Sequence, residues 1–202
     1  MRNVTFDFLG QHRHGTAFHE YLHLRKVFFV DQLGWDIPHN EDVEMDQYDN
    51  PCAHYSLVLR GGRVLGGARA MPTTASWGRH SYMLRDIQLG RFEHVPPEVM
   101  PAEIISDQVW ESSRLVISDD LRTRAERAEC LSLIFVGLTE LALENGGVEL
   151  LGLTRPPLMR ALRQLGFPAD RLGEPYRSDT DGREYAVLHM PVAGSPQLMA
   201  AE

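Results

Sequence analysis

The sequence predicts an α/β protein of three layers, a mixed sheet with helices packed on both faces. Three observations predict it. Runs of alternating apolar and polar residues interleave with runs of helical spacing along most of the chain. A hairpin early and a second pair of strands late bracket these units, which gives a mixed sheet. The chain of 202 residues is 43% hydrophobic, enough to bury one core in one domain spanning residues 1–192.

The elements follow in order. "VTFDFL" (4–9) alternates as a strand does, and "AFHEYLHLRKVFFVDQLG" (17–34) has helical spacing and ends on a glycine. "HYSLVLRGGRVLGGARAM" (54–71) reads as a hairpin turning on Gly61 and Gly62. A proline-broken stretch leads to the strand "VWESSRLVI" (109–117). The run 118–147 then gives a loop and a long helix with an N-cap candidate and a Gly-Gly stop. "VELLGLT" (148–154) reads as a buried strand, and "PPLMRALRQLG" (156–166) as a short helix with proline at its start and glycine at its end. "EYAVLHMPV" (184–192) supplies the last strand, and residues 193–202 read as a flexible tail.

Composition narrows the function. No apolar run reaches the length of a membrane span and the N-terminus lacks a signal-peptide core, so the expected location is the cytoplasm. A net charge of −8 argues against a nucleic-acid binder. Cys52 and Cys130 fit neither a disulfide framework nor a zinc motif, and the scattered histidines indicate no metal site. Apart from Lys26 every basic residue is arginine, which rules against lysine Schiff-base chemistry and suits planar recognition of carboxylate or phosphate.

Several charges violate the apolar pattern. Arg25 shares a stripe of the first helix with Phe18, Leu22 and Phe29, where an arginine either snorkels outward or needs buried carboxylates. Glu41, Asp42, Glu44, Asp46 and Asp49 crowd the next segment, and Arg69 lies inside the hairpin. Alternation over 109–117 puts Glu111 and Ser113 on one face, with Ser112 and Arg114 on the other. A carboxylate in a low-dielectric cleft can accept a proton from an amine. Periodicity alone favours another reading, an ion pair of Glu111 with Arg25 or Arg69. After this strand, Arg122, Arg124 and Arg127 surround a helix N-terminus that can attract phosphate.

Together these residues resemble the acyl-homoserine-lactone synthases, the autoinducer synthases of bacterial quorum sensing, whose fold is GNAT-like with a sheet splayed around its central strands. The family's arginine, phenylalanine and tryptophan fall on Arg25, Phe29 and Trp35 in "RKVFFVDQLGW". Its acidic pair falls on Asp46 and Asp49, its hairpin arginine on Arg69, and its Glu-x-Ser/Thr-Arg motif on Glu111, Ser113 and Arg114. The run from Arg122 is similar to the GNAT pyrophosphate loop, with Ala125 replacing a glycine and Arg127 a small residue. The resemblance implies N-acylation of S-adenosylmethionine by an acyl-phosphopantetheine thioester, then lactonisation with release of methylthioadenosine. It also implies a donor on acyl carrier protein or CoA, no tightly bound cofactor and a monomer. Glu111 with Ser113 would be catalytic, and Arg25, Phe29 and Trp35 would hold adenosylmethionine. Asp46, Asp49, Arg69 and Arg114 would shape the cleft. Arg122, Arg124, Arg127, Arg160 and Arg163 would dock the phosphopantetheine or its carrier, and Thr154 would line the acyl pocket. A generic GNAT acetyltransferase using acetyl-CoA, or a non-catalytic regulator binding acyl carrier protein, are the alternatives.

Overall fold

The computed structural model describes residues 1–193, so all but the first residue of the expected tail lies outside the described residues. Seven strands form one sheet: β1 (Arg2–Asp7), β2 (His54–Arg60), β3 (Arg63–Pro72), β4 (Val109–Ile117), β5 (Glu149–Thr154), β6 (Asp170–Arg177) and β7 (Glu184–Pro191). Their spatial order is β1-β2-β3-β4-β5-β7-β6, with β4 and β5 parallel and every other neighbouring pair antiparallel. The mixed three-layer fold is therefore as expected. On one face lie α1 (Ala17–Arg25) and α2 (Met83–Gln88), and on the other α3 (Arg124–Glu144) and α4 (Pro156–Gln164).

Local chemistry explains the boundaries. Gly61 and Gly62 both have positive φ, at 59° and 87°, as a tight hairpin turn between twisted strands demands. α3 begins at a reciprocal cap: Thr123 accepts from the Glu126 amide at 3.1 Å, and the Glu126 carboxylate accepts from the Thr123 amide at 3.2 Å. Pro156 opens α4 where its missing N–H costs nothing. α3 sits close on the sheet because residue 137 is glycine. A Cβ there would stand 2.4 Å from both Asn3 Oδ1 and Ser56 Oγ.

Four segments depart from the expected pattern. The first strand ends at Asp7 rather than residue 9, where Asp7 accepts from the Gly10 amide and Phe8–His14 turns as a 3₁₀ helix, and β6 lies in a stretch whose Gly173 and Pro175 break any alternation. The proline-broken stretch holds α2 and a 3₁₀ turn at Pro97–Val99, and six residues are too few for helical spacing to mark. The first helix does not stay α-helical to its glycine but continues from Lys26 to Gln32 as π-helix. There Leu33 N donates to Phe28 O and Trp35 N to Phe29 O, which swings Trp35 back beside Phe29.

β4 and β5 pair only at Val109–Glu149, Trp110–Leu150 and Glu111–Leu151, then part while each strand continues. The sheet thus splays just beyond Glu111. Among the described residues no helix is long and apolar enough to cross a membrane.

Thr123→Ala removes the hydroxyl half of the α3 cap and is expected to cost about 1 kcal/mol. In a chain of this size that lowers the melting temperature by about 2–4 °C, measurable by thermal unfolding.

Candidate active site

Arg25 does not snorkel. It is fully buried, and all three guanidinium nitrogens are engaged. Nε donates to Glu44 at 2.6 Å, while Nη1 and Nη2 grip both oxygens of Asp49 at 2.8 Å each. Such bidentate geometry is what arginine offers and lysine does not. Arg69, also fully buried, donates to Asp46 at 2.5 and 3.2 Å and pairs with Asp49 at 3.0 Å, while its Nε reaches Ser113 Oγ at 3.2 Å. Arg114 completes the set, with Nε 3.2 Å from Glu44 and Nη2 2.7 Å from Asp46.

Three guanidiniums therefore meet three carboxylates in a closed, neutral network. Burial opposes ionisation of Asp49, but the charges of Arg69 and Arg25 outweigh it and hold the carboxyl well below the usual carboxylate range. Asp46 is lowered in the same way against its own burial, chiefly by Arg69 and Arg114. Tyr55 adds a hydroxyl donor to Asp49 at 2.9 Å. Guanidiniums also lie over rings, Arg25 over Tyr21 at 5.3 Å, Arg69 over Tyr48 at 5.5 Å and Arg114 over Phe29 at 5.5 Å.

Glu44 was not singled out from its acidic neighbours, yet it is fully buried and bridges Arg25 to Arg114. The signal available was its spacing of two from Asp46, which in an extended segment puts both carboxylates on one side.

Alternation misplaced Arg114. Expected on the face opposite Glu111, it lies with Glu111, Ser113 and Arg69, because β4 is bulged. Gly67 and Arg69 of β3 are two residues apart, but their partners Val116 and Ser113 are three apart, and Arg114 takes φ +55°, the only positive φ on a non-glycine among the described residues. Beyond the bulge the alternation is inverted. Val116 packs in the α1 core while Leu115 and Ile117 pack toward α3. Tyr21 OH holds the strained residue by donating to Arg114 O at 2.8 Å.

Glu111 takes no arginine, contrary to the ion pair that periodicity favoured. Its oxygens accept from the amides of Met83 and Leu84 at 2.8 and 2.7 Å. Burial pushes its carboxyl up to about 7, against the lowering effect of those two amides.

Ser112, Ser113, Arg114, Gly152, Leu153 and Thr154 line a cavity of about 40 Å³ where β4 and β5 part. Thr154 and the Glu111 strand thus meet at one opening. Phe29 and half-buried Trp35 stack with centroids 5.0 Å apart and planes at 26°. Arg25, expected to hold a ligand with them, is fully buried and already donates from each guanidinium nitrogen to Glu44 or Asp49. A larger open concavity of about 500 Å³ lies between Phe8–Gly15 and α1, and none of the expected site residues lines it.

Among the arginines expected to dock phosphate, Arg124 Nη2 donates to Gln164 Oε1 at 3.3 Å, which joins the start of α3 to the end of α4. Arg122 and Arg160 are exposed. Arg127 donates to Ser118 O and Asp119, and Arg163 to Ala169 O and Asp170. The head of α3 already holds the Glu126 carboxylate, which weakens it as an anion site.

The model of a family described as autoinducer synthase matches residues 10–196. An acyl-homoserine-lactone synthase of Ralstonia solanacearum is 31% identical over 156 residues, covering 75% of this chain and 71% of that protein. One of Aeromonas hydrophila is 29% identical over 168 residues, covering 82% and 75%. Among solved structures, TofI in a ternary complex with an inhibitor and MTA aligns with a TM-score of 0.74 at 27% identity, over 96% of this chain and 94% of that one. The fold alone is shared with an acyl-CoA N-acyltransferase from Pseudomonas aeruginosa, at TM-score 0.56 and 15% identity over 94% and 99%.

Removing Arg25 would strand Glu44 and Asp49 without their principal partner. Arg25→Met is expected to cost about 3–5 kcal/mol, read as a fall in the denaturant midpoint.

Proposed function

Because this chain belongs to the autoinducer synthase family, we propose that its cleft makes an acyl-homoserine lactone from S-adenosylmethionine and an acyl thioester, with Glu111 as the base. Glu111 is the observation that carries the mechanism. An α-amino group has a pKa of roughly 8, so at neutral pH most of it is protonated and cannot attack. A buried carboxyl near 7, on the strand that lines the splay, is matched to take that proton, through a water where the distance requires one.

The amine nitrogen then bonds to the thioester carbon while the carbon–sulfur bond breaks, and the thiolate leaves with a proton. In the second step a carboxylate oxygen of adenosylmethionine attacks its own γ-carbon. The bond to the sulfonium breaks, and methylthioadenosine departs as a neutral thioether. The oxyanion takes its hydrogen bonds from backbone amides of β4 and β5 beyond Glu111, where the two strands no longer pair, and one such donor contributes ~3 kcal/mol.

Trp35, half-buried beside Phe29, supplies an aromatic face for the sulfonium, and Phe29 sets its angle. Arg25, Arg69, Arg114, Asp46 and Asp49 hold the cleft in shape. Ser113 steadies Arg69 beside the reacting groups. The acyl chain runs into the opening by Thr154. Carrier protein or CoA approaches across Arg122, Arg124, Arg160 and Arg163, a basic strip on an otherwise acidic chain, supported by the link from Arg124 to α4. Adenosylmethionine and a donor carried on CoA or on an acyl carrier protein are both water-borne, which fits a cytoplasmic enzyme.

Incubation with adenosylmethionine and a panel of acyl-carrier-protein and acyl-CoA donors is expected to yield methylthioadenosine and an acyl lactone by mass spectrometry. Methylthioadenosine absent with every donor defeats the synthase reading. Glu111→Gln keeps adenosylmethionine binding and loses turnover by about 10²–10⁴. In the parent enzyme kcat/KM falls as pH drops through about 7, where Glu111 gains its proton. Reversing Arg160 and Arg163 to glutamate raises KM for a carrier-bound donor and leaves that for adenosylmethionine unchanged; equal effects on both remove the docking face.

A further inference from the structure

Asp86 is fully buried on α2, and no step of the mechanism uses it. Its two oxygens collect four donors: Tyr48 OH at 2.9 Å, His80 Nδ1 at 3.0 Å, the Ser81 amide at 3.2 Å and Arg91 Nη1 at 2.6 Å. Three of these belong to the turn before α2 and the segment after it. The fourth, Tyr48, belongs to the acidic segment, and its ring carries the Arg69 guanidinium.

α2 has only six residues, and a helix this short has no stability of its own. Its N-cap residue, Tyr82, makes no side-chain cap. Without such a cap, the Met83 and Leu84 amides at the head of α2 have no partner within the helix and donate instead to Glu111, across from β4. Where those amides sit therefore depends on what pins α2, and the polar clasp that does so is centred on Asp86.

We propose that Asp86 is a positioning residue: by tying α2 to Tyr48 and to the turn at His80, it holds the Met83 and Leu84 amides against the Glu111 carboxylate and fixes where that carboxylate meets its proton donor. This rests on the reading of Glu111 as base. Amide donors favour the ionised carboxylate, so loosening them makes Glu111 hold its proton to higher pH. The other ionisable groups facing Glu111 are Arg69 from β3, Asp46 and Tyr48 from the acidic segment, and Tyr82 at the head of α2. Of these only Tyr48 touches position 86, through the hydroxyl it donates to Asp86, and the Tyr48→Phe variant isolates that contact.

Asp86→Asn keeps the shape of the side chain but turns an NH₂ toward a ring of donors. The expected result is an acid limb of kcat/KM about one pH unit higher and, on that limb, a rate about tenfold lower. KM for adenosylmethionine stays as in the parent. Tyr48→Phe removes only the hydroxyl that joins Asp86 to the acidic segment, and it shifts the limb the same way by less. It serves as the readout if Asp86→Asn does not fold. A folded Asp86→Asn or Tyr48→Phe with the parental limb and kcat overturns the positioning role. Glu111→Gln separates the two ideas: if it retains turnover, the base reading falls and the proposal with it, whereas an inactive Glu111→Gln beside an unshifted Asp86→Asn defeats the positioning role alone.

Discussion

Two fully buried arginines and a third, Arg114, mostly withdrawn from solvent, set against three buried carboxylates, are the constraint on which the rest of this structure depends. Taking one ion out of water costs several kcal/mol even after relaxation, and that cost is offset only when every donor and acceptor finds a partner. Here Arg25, Arg69 and Arg114 meet Glu44, Asp46 and Asp49 in a neutral set. Those six residues come from α1, the acidic segment, β3 and β4. Satisfying them fixes all four elements together, so the network specifies the cleft more than it stabilises the fold.

Arg114 shows how strongly the network dictates backbone. A non-glycine residue at φ +55° carries strain of about 1–3 kcal/mol and persists only where its surroundings over-determine it. Glu44 and Asp46 pull its guanidinium, and Tyr21 fixes its carbonyl from α1. The bulge that results does two further things. It inverts the strand's alternation, so that Val116 packs with the α1 core, and it lies on the stretch of β4 that has already parted from β5. One misplaced charge in the sequence thus becomes the turning of a strand at the mouth of the cleft.

That conversion marks the limit of what residues alone disclose. The limits of β4, β5 and β7, the hairpin, the long helix and the polar centre of "VWESSRLVI" all follow from periodicity and turn chemistry, which are local. Arg25 on an apolar stripe left snorkelling and burial both open, and the family resemblance is what picked out Asp46, Asp49 and Arg69 as its company. What stayed hidden depends on contacts between distant segments. No period reveals a one-residue bulge, so Arg114 was assigned to the wrong face. α2 is too short to show a helical repeat, so the partners of Glu111 could not be anticipated. Asp86 looked like an ordinary charge in a proline-rich stretch, since Tyr48, 38 positions away, is what makes it a clasp.

Carboxylates of opposite character now stand within one cleft, separated only by what surrounds them. Asp46 and Asp49 face guanidiniums and stay ionised far into acid, so their contribution to stability is present above about pH 4 and is lost only as pH falls through their depressed folded values. Glu111 faces amides and apolar walls. Its raised value means that ionising it costs stability, progressively as pH rises from about 4 to about 7, and then by roughly 3 kcal/mol. A carboxyl whose ionisation the fold tolerates at that cost, rather than pairing away with a nearby arginine, is placed for proton transfer. The network serves that end indirectly: by occupying Arg25, Arg69 and Arg114 with other partners, it leaves Glu111 free of the cation that would otherwise hold it permanently ionised.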